Sequence, residues 1–184
     1  MPSMIGHSLW GVAAGAGWSK WPLSGRTLIL AWVCSVAADV DTLGFRLGIP
    51  YEHWLGHRGL LHGILFAMLL ALAAAAASRP DPADRTHRIG QFQFFFFCAF
   101  SHILLDAMSN GGLGVAVFAP FSNHRYFLPW RPLAAVPISI HDLWSRRWFP
   151  IIFKELRMLV LPSLALFIAG RASTRLRRAS SPPS

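Results

Sequence analysis

Acidic and histidine side chains lie at the edge of long apolar segments in this chain, or inside them. Three clusters carry these side chains: Asp39-Val40-Asp41, the run from His57 to His62, and the run from His102 to Asp106. An ionisable group in hydrocarbon costs roughly 2.5–3.5 kcal/mol even on insertion scales, so such groups usually have partners and a function. The fold therefore has to bring these clusters together, and converging carboxylates and imidazoles suggest a metal.

The composition favours a membrane protein. Hydrophobic residues make up 54% of the 184 and charged residues only 14%, whereas a soluble domain carries about a quarter charged residues. The 17 Lys and Arg outnumber the 8 Asp and Glu, but they mostly flank apolar segments and form no stripe. We therefore expect membrane lipids as partners and no nucleic acid. Cys34 and Cys98 lie in apolar runs, so we expect no disulfide.

Apolar stretches long enough to form helices recur along the chain. They are Met4 to Trp18, Thr27 to Leu43, Leu60 to Ala77, Ile89 to Met108, and Leu156 to Ala169. A span of the ~30 Å hydrocarbon layer takes ~20 residues, and the third and fourth stretches come closest to that length. The sequence predicts an all-α integral membrane bundle of about four to five transmembrane helices over residues 1–170. Residues 171–184 are predicted to form a basic, disordered cytoplasmic tail.

Positive charges in the short loops predict the orientation. They follow the first stretch, join the third to the fourth, and follow the last: Lys20, Arg26, Arg79, Arg85, Arg88, Arg171, Arg175, Arg177 and Arg178. If these three places are cytoplasmic, the chain crosses the membrane five times and its N-terminus is outside. The unusual residues then all fall at the outer, periplasmic ends of their segments: His7, Asp39, Asp41, His57, His62, His102 and Asp106. Arginines in the 110–150 connection would also be outside, which weakens the bias.

The spacing within each cluster is compatible with metal ligands. His102 and Asp106 are four apart, which places them on one helix face, although a hydrogen bond between helices would use the same spacing. Asp39 and Asp41 end an apolar run, where a fraying helix can turn both carboxylates inward. His57 and His62 would point apart in one helix, but Gly59 allows His57 to lie in the preceding loop.

The combined set predicts one or two divalent ions. Imidazole and carboxylate ligands without thiolates favour zinc, with manganese or iron as alternatives. Holding three aspartates in hydrocarbon costs about 10 kcal/mol, which is comparable with the ~10–16 kcal/mol that a structural zinc site provides. Considered alone, His7 would more often be an ordinary buried histidine.

The order of motifs also resembles a known family. It comprises Gly6-His7, the DxD of Asp39 to Asp41, an HRGxxH run from His57 to His62, an HxxLD run from His102 to Asp106, and a Gly-rich stretch leading to Ala119-Pro120-Phe121-Ser122. This order resembles the YdjM-like family of inner-membrane metal-dependent hydrolases, over roughly residues 4 to 128.

That resemblance implies a multi-helix protein of the cell inner membrane with a hydrolytic metal site. Carried over position by position, it points to His7, Asp39, Asp41, His57, Arg58, His62, His102 and Asp106. The chain departs from the family pattern at Ala38, where a proline often stands, and at Leu61 and Gly63, where Thr and Ser often stand. These departures remove side chains that could hydrogen-bond to ligands.

Two further residues are candidates for catalysis. Arg58 lies between two candidate ligands and would suit a phosphoester, although a salt bridge to Asp39 or Asp41 is an equal alternative. Glu52 and His53 are candidates for a general base or an outer ligand, and Arg125 is a candidate second anion contact. The predicted activity is hydrolysis of an ester or phosphoester by metal-activated water, on a small-molecule or lipid substrate. The alternatives are a divalent metal-ion transporter and a catalytically inactive membrane scaffold.

Overall fold

The computed structural model describes residues 3–18, 23–79, 84–134 and 148–179. Within this part the chain is helical and forms no strand; the only β contacts are isolated bridges in the loop after the sixth helix. The all-α prediction is therefore confirmed for the described residues. The α-helices are α1 (Met4–Ser8), α2 (Gly15–Trp18), α3 (Gly25–Val36), α4 (Leu43–Arg46), α5 (Ile64–Ala77), α6 (Arg85–Ala107), α7 (Trp148–Glu155) and α8 (Leu161–Ala179).

Short segments of other helix types connect these elements. A π-helical segment, Leu9–Ala14, joins α1 to α2, and a second one, Leu156–Val160, joins α7 to α8. A 3-10 segment, Ala37–Thr42, joins α3 to α4, and a 3-10 turn, Leu60–His62, precedes α5. Helix starts follow ordinary capping chemistry, since Ser24 accepts a hydrogen bond from the amide of Thr27.

Two helical stretches are long and apolar enough to cross a membrane. They are Gly25–Arg46, with a mean hydropathy of 1.6, and Arg85–Ala107, with a mean hydropathy of 1.3. The stretch predicted from Leu60 is shorter than expected, because Gly63 is extended and the helix begins only at Ile64. Its 14 residues reach only ~21 Å at 1.5 Å per residue. A bundle of four to five spans stays a prediction.

The apolar core lies where α3, α5 and α6 meet. Small side chains dominate it, and Phe95 fills the space between them; the buried members include Ala31, Cys34, Ala67, Ala71, Ala74, Cys98 and Ala99. Small residues let helix backbones approach closely, which is how helices associate where lipid offers no hydrophobic driving force. Cys34 and Cys98 are buried free thiols.

The helices α2 and α8 pack against each other. A Cβ at Gly170 would collide with the carbonyl of Gly17, so the two backbones touch there. The predicted boundary at residue 170 lies inside α8, which continues to Ala179. Residues 180–184 of the predicted tail lie outside the described residues.

Candidate metal centre

A break within the helical stretch Gly25–Arg46 positions two of the predicted acids. α3 ends at Val36, whose φ of −126° and ψ of −9° leave the helical region, and the chain continues as the 3-10 segment. Asp39 and Asp41 consequently both turn inward and are 6% and 7% exposed. The last carbonyls of a helix lack helical partners, and that of Ser35 accepts a hydrogen bond from Nδ1 of His102 at 2.8 Å.

Asp41 connects the loop before α5 to the cluster. Its Oδ1 lies 2.6 Å from Nδ1 of His57, and its Oδ2 accepts a hydrogen bond from the backbone amide of Arg58 at 3.0 Å. Oδ2 also lies 2.9 Å from Nδ1 of His62. One carboxylate is thus shared by two imidazoles and one amide, which fixes this loop relative to the 3-10 segment.

α1 and α6 supply the remaining members. The His7 ring stacks on the His102 ring with 3.8 Å between centroids, and its Nε2 lies 3.4 Å from Oδ1 of Asp106. Asp106 is fully buried and lies one turn after His102 on α6, as the spacing predicted. The structure therefore brings together all seven predicted ligands: His7, Asp39, Asp41, His57, His62, His102 and Asp106.

Arg58 is the one buried cation of this cluster. Its Nε lies 2.9 Å from Oδ2 of Asp106, while its other nitrogens donate to the carbonyl of Gly111 and to the hydroxyl of Ser109. The sequence left a salt bridge to Asp39 or Asp41 open, and the structure pairs Arg58 with Asp106 instead. Arg58 has a φ of 62°, a left-handed conformation that costs a non-glycine residue of order 1–3 kcal/mol and persists only where many contacts hold it.

The distances among four ligand atoms fit a metal ion. One atom each from Asp39, His62, His102 and Asp106 lies within 4.8 Å of the other three. The Nε2 atoms of His62 and His102 are 3.1 Å apart; Oδ1 of Asp39 lies 3.4 Å from His102, and Oδ2 of Asp106 lies 3.3 Å from His62. Tetrahedral ligand atoms at ~2.0–2.1 Å from zinc lie ~3.3–3.4 Å apart.

The protonation of His102 supports the same arrangement. A carbonyl oxygen only accepts, so the hydrogen bond to Ser35 assigns the proton of a neutral His102 to Nδ1 and leaves a lone pair on Nε2. That lone pair faces Nε2 of His62 and a carboxylate oxygen of Asp39. Among the described residues, neither carboxylate oxygen of Asp39 accepts a hydrogen bond, and the oxygens of Asp106 are met only by the ion-pair contacts of Arg58, His7 and His62. A cation at their centre would serve all four side chains.

The charge balance of the cluster also leaves room for a divalent ion. Asp39, Asp41 and Asp106 are buried, and Arg58 is the only buried cation that faces them in the described part. With neutral histidines, three carboxylates and one guanidinium leave two negative charges uncompensated. Uncompensated buried charge is strongly destabilising, so the set requires added protons or a cation.

Asp41, His57 and His62 form a second group whose side chains could hold an ion. Their separations of 2.6 and 2.9 Å are shorter than the ~3.3 Å between ligands of one zinc ion and match hydrogen bonds. A carboxylate that contacts the far nitrogen of a ligating imidazole orients the ring and raises its basicity. The geometry therefore suits Asp41 to supporting His62.

A covering loop, residues 108–134, lies over the segment that carries His57 and His62. Arg125 donates to the carbonyls of Tyr51, His53 and His57, and the amide of Ala116 donates to the carbonyl of Arg58. The proposed anion contact, Arg125, is thus engaged with backbone. Burial raises the pKa of the Tyr51 phenol, which lies under this guanidinium.

The structure brings neither Glu52 nor His53 to the cluster. Both side chains are exposed; the backbone carbonyl of Glu52 accepts a hydrogen bond from Asn123, and Nδ1 of His53 accepts one from the amide of Leu55. Sequence reasoning also missed Ser35, Ser109 and Gly111, which hold His102 and Arg58. The acceptors on Ser35 and Gly111 are backbone carbonyls, which carry no residue-type signal, and Ser109 follows the helix end as an ordinary cap residue would.

Comparison with known proteins places the chain in a family. The sequence model described as YdjM inner membrane protein matches residues 1–176. The chain belongs to the YdjM inner membrane protein family. A relative of similar length, Inner membrane protein YbcI of Escherichia coli (strain K12), is 29% identical over 169 residues, which cover 90% of this chain and 95% of that protein. No solved structure matches the chain significantly. The resemblance inferred from the motifs is thereby confirmed.

Proposed function

We propose that this YdjM-family protein is a membrane-bound metal-dependent hydrolase acting on an ester or phosphoester, including lipid-derived ones. The observation that carries the proposal is the set of four buried ligand atoms from Asp39, His62, His102 and Asp106, which lie within 4.8 Å of one another and include separations of 3.1, 3.3, 3.4 and 4.0 Å. A divalent ion in such a site supplies Lewis acidity and activates water near neutral pH. Zinc is the preferred ion, and manganese or iron would suit the same ligands.

Each of the chain's own residues then has a task. His62 and His102 would present Nε2 to the ion, with Asp41 and the Ser35 carbonyl orienting the two rings from behind. His7 stacks on His102 and limits rotation of that ring. Arg58 acts as a positioning residue, because its guanidinium is saturated by Asp106, Ser109 and Gly111 and lies 1% exposed.

Asp39 is our candidate for handling the proton. Its Oδ1 faces His62 and His102, while its Oδ2 has no hydrogen-bond partner in the described part of the chain. At 6% exposure it is also more accessible than the other three proposed ligands. Oδ2 of Asp39 is therefore the carboxylate oxygen available to take a proton at the site. Glu52 is not proposed for this task, because it lies outside the cluster.

The polarity of the rest of the molecule favours an enzyme over an ion transporter. A transport path needs polar groups on both sides of the site. Away from the cluster, the buried residues of α5 are all alanines, and the middle of α6 buries Phe95, Cys98 and Ala99, with only Gln91 and Ser101 as buried polar side chains between its first turn and His102. We further propose that the protein crosses the inner membrane several times and that the metal centre lies at the periplasmic face. The distribution of positive charge in the short loops supports this orientation.

Metal analysis and hydrolysis assays on the purified full-length protein test this proposal. We expect a metal ion to co-purify, and 4-nitrophenyl acetate or bis(4-nitrophenyl) phosphate to be hydrolysed in a chelator-sensitive way. His102→Ala should lose both properties, whereas the matched control His53→Ala, which changes an exposed histidine, should keep them. Full metal content in His102→Ala would refute the metal centre. Metal-ion flux into proteoliposomes without hydrolysis would favour the transporter.

A further inference from the structure

A groove with a charged rim and an apolar floor lies between α5 and the start of α6. It has a volume of about 410 Å³, which is within the range of sites for small ligands, and it is lined by Leu72, Arg85, Arg88, Ile89 and Phe92. Four of these residues lie on α6, where Arg88 and Ile89 follow Arg85 by three and four positions and precede Phe92 by four and three. They therefore form one stripe along the helix surface.

The stripe is cationic at the start of the helix and apolar further along it. Its first turn carries two guanidiniums, Arg85 and Arg88, and the next turns carry Ile89 and Phe92, which face Leu72 across the groove. Neither guanidinium pairs with a carboxylate among the described residues. The acid that precedes them, Asp84, accepts a hydrogen bond from the amide of His87 at the helix start. The rim is therefore cationic and the floor is apolar.

The position of the groove along α6 fits a lipid headgroup. Arg85 opens the membrane-length helix, and Asp106 of the metal centre lies near its other end. At 1.5 Å per residue the two are ~31 Å apart, which is close to the ~30 Å thickness of the hydrocarbon layer. If the metal centre lies at one membrane face, the two arginines lie at headgroup depth on the other.

We propose that this groove is a binding site for an anionic phospholipid. The phosphate would contact Arg85 and Arg88, and an acyl chain would follow Ile89, Phe92 and Leu72 toward the bilayer centre. Guanidinium groups bind phosphate bidentately, and basic pockets between membrane helices bind anionic headgroups. The site is separate from the proposed hydrolase centre, and only its depth in the bilayer rests on the proposed position of that centre at a membrane face.

Native mass spectrometry of the full-length protein in detergent tests this site. Phosphatidylglycerol and phosphatidylethanolamine with identical acyl chains are the probes, since they differ in net charge. We expect the wild-type protein to retain phosphatidylglycerol more strongly, and to lose that preference at high salt. Arg85→Gln with Arg88→Gln should weaken phosphatidylglycerol binding roughly 25-fold, because each basic residue at the surface contributes to anionic lipid affinity.

The control is the double variant Arg26→Gln with Arg171→Gln, which removes the same charge from exposed positions that do not line the groove. It should bind phosphatidylglycerol like the wild type, and both double variants should keep the wild-type metal content. Equal retention of the two lipids by the wild type would overturn the proposal. An equal loss of phosphatidylglycerol in both double variants would overturn it too, because it would indicate a general charge effect.

Discussion

The middle of α6 and its C-terminal part are equally buried, but their side chains need different kinds of partner. Phe95 in the middle and Asp106 near the end are both fully buried. Phe95 needs only close packing, which small side chains of neighbouring helices provide. Asp106 needs partners of opposite charge or hydrogen-bond donors, and these come from α1 and from the loop before α5. Equal burial therefore implies very different demands on the rest of the fold.

Asp106→Asn should have the largest effect on the polar end. Asparagine keeps the shape of the side chain but loses the anion that Arg58 and a metal ion require. We expect metal affinity to fall by more than the roughly 100-fold that loss of an outer partner costs, and hydrolysis to fall with it. Metal titration is the measurement. The control Asp84→Asn changes the exposed cap of the same helix, and a similar fall there would contradict the assignment.

Phe95→Ala should separate stability from metal binding. Removing a fully buried phenylalanine leaves a cavity, so we expect the free energy of unfolding to fall by about 3–5 kcal/mol. The metal centre does not include this side chain, and metal stoichiometry in the folded protein should stay at the wild-type value. Thermal unfolding and metal analysis of the same preparation check both parts. Loss of metal from the folded variant would mean that the two regions are not independent.

Asp41→Asn should have an intermediate effect on metal binding. The amide can still contact His57 and His62, but it cannot raise the basicity of the His62 ring as an anion does. Loss of such an outer partner typically lowers metal affinity 10–100-fold. The affinity should therefore fall less in Asp41→Asn than in Asp106→Asn. The reverse order in a parallel titration would make Asp41 a direct ligand.

Gly11→Ala should have the smallest effect. A Cβ at Gly11 would overlap the Ser35 hydroxyl. Ser35 is also the residue whose backbone carbonyl accepts the hydrogen bond from His102. Rotating that hydroxyl away breaks its hydrogen bond to the carbonyl of Ala31, so we expect a cost of about 1 kcal/mol, at the low end for overpacking. Ser35→Ala in the same chain should restore most of the unfolding free energy. Gly25→Ala, which meets no atom within 4 Å, is the control and should be neutral.

Local patterns predicted much of the site. The four-residue spacing of His102 and Asp106 places both on one face of α6, and both take part in the cluster. The order of the motifs predicted the family, and the family match covers nearly the whole chain. The start of α5 was misplaced, since an apolar run gives no sign that Gly63 adopts an extended conformation. Glu52 was misplaced because nothing in its neighbours indicates which way its loop turns.

The sequence by itself determined the class of fold, the residue types of the candidate metal centre and the helix that carries two of its members. These properties depend on composition and on spacing within a few residues, where helical geometry is regular. Only the tertiary structure decided that Arg58 pairs with Asp106 and that Asp41 contacts both His57 and His62. Such pairings depend on a helix break after Val36 and a left-handed backbone at Arg58. Contacts between segments far apart in the chain hold both conformations in place, and local periodicity does not encode them.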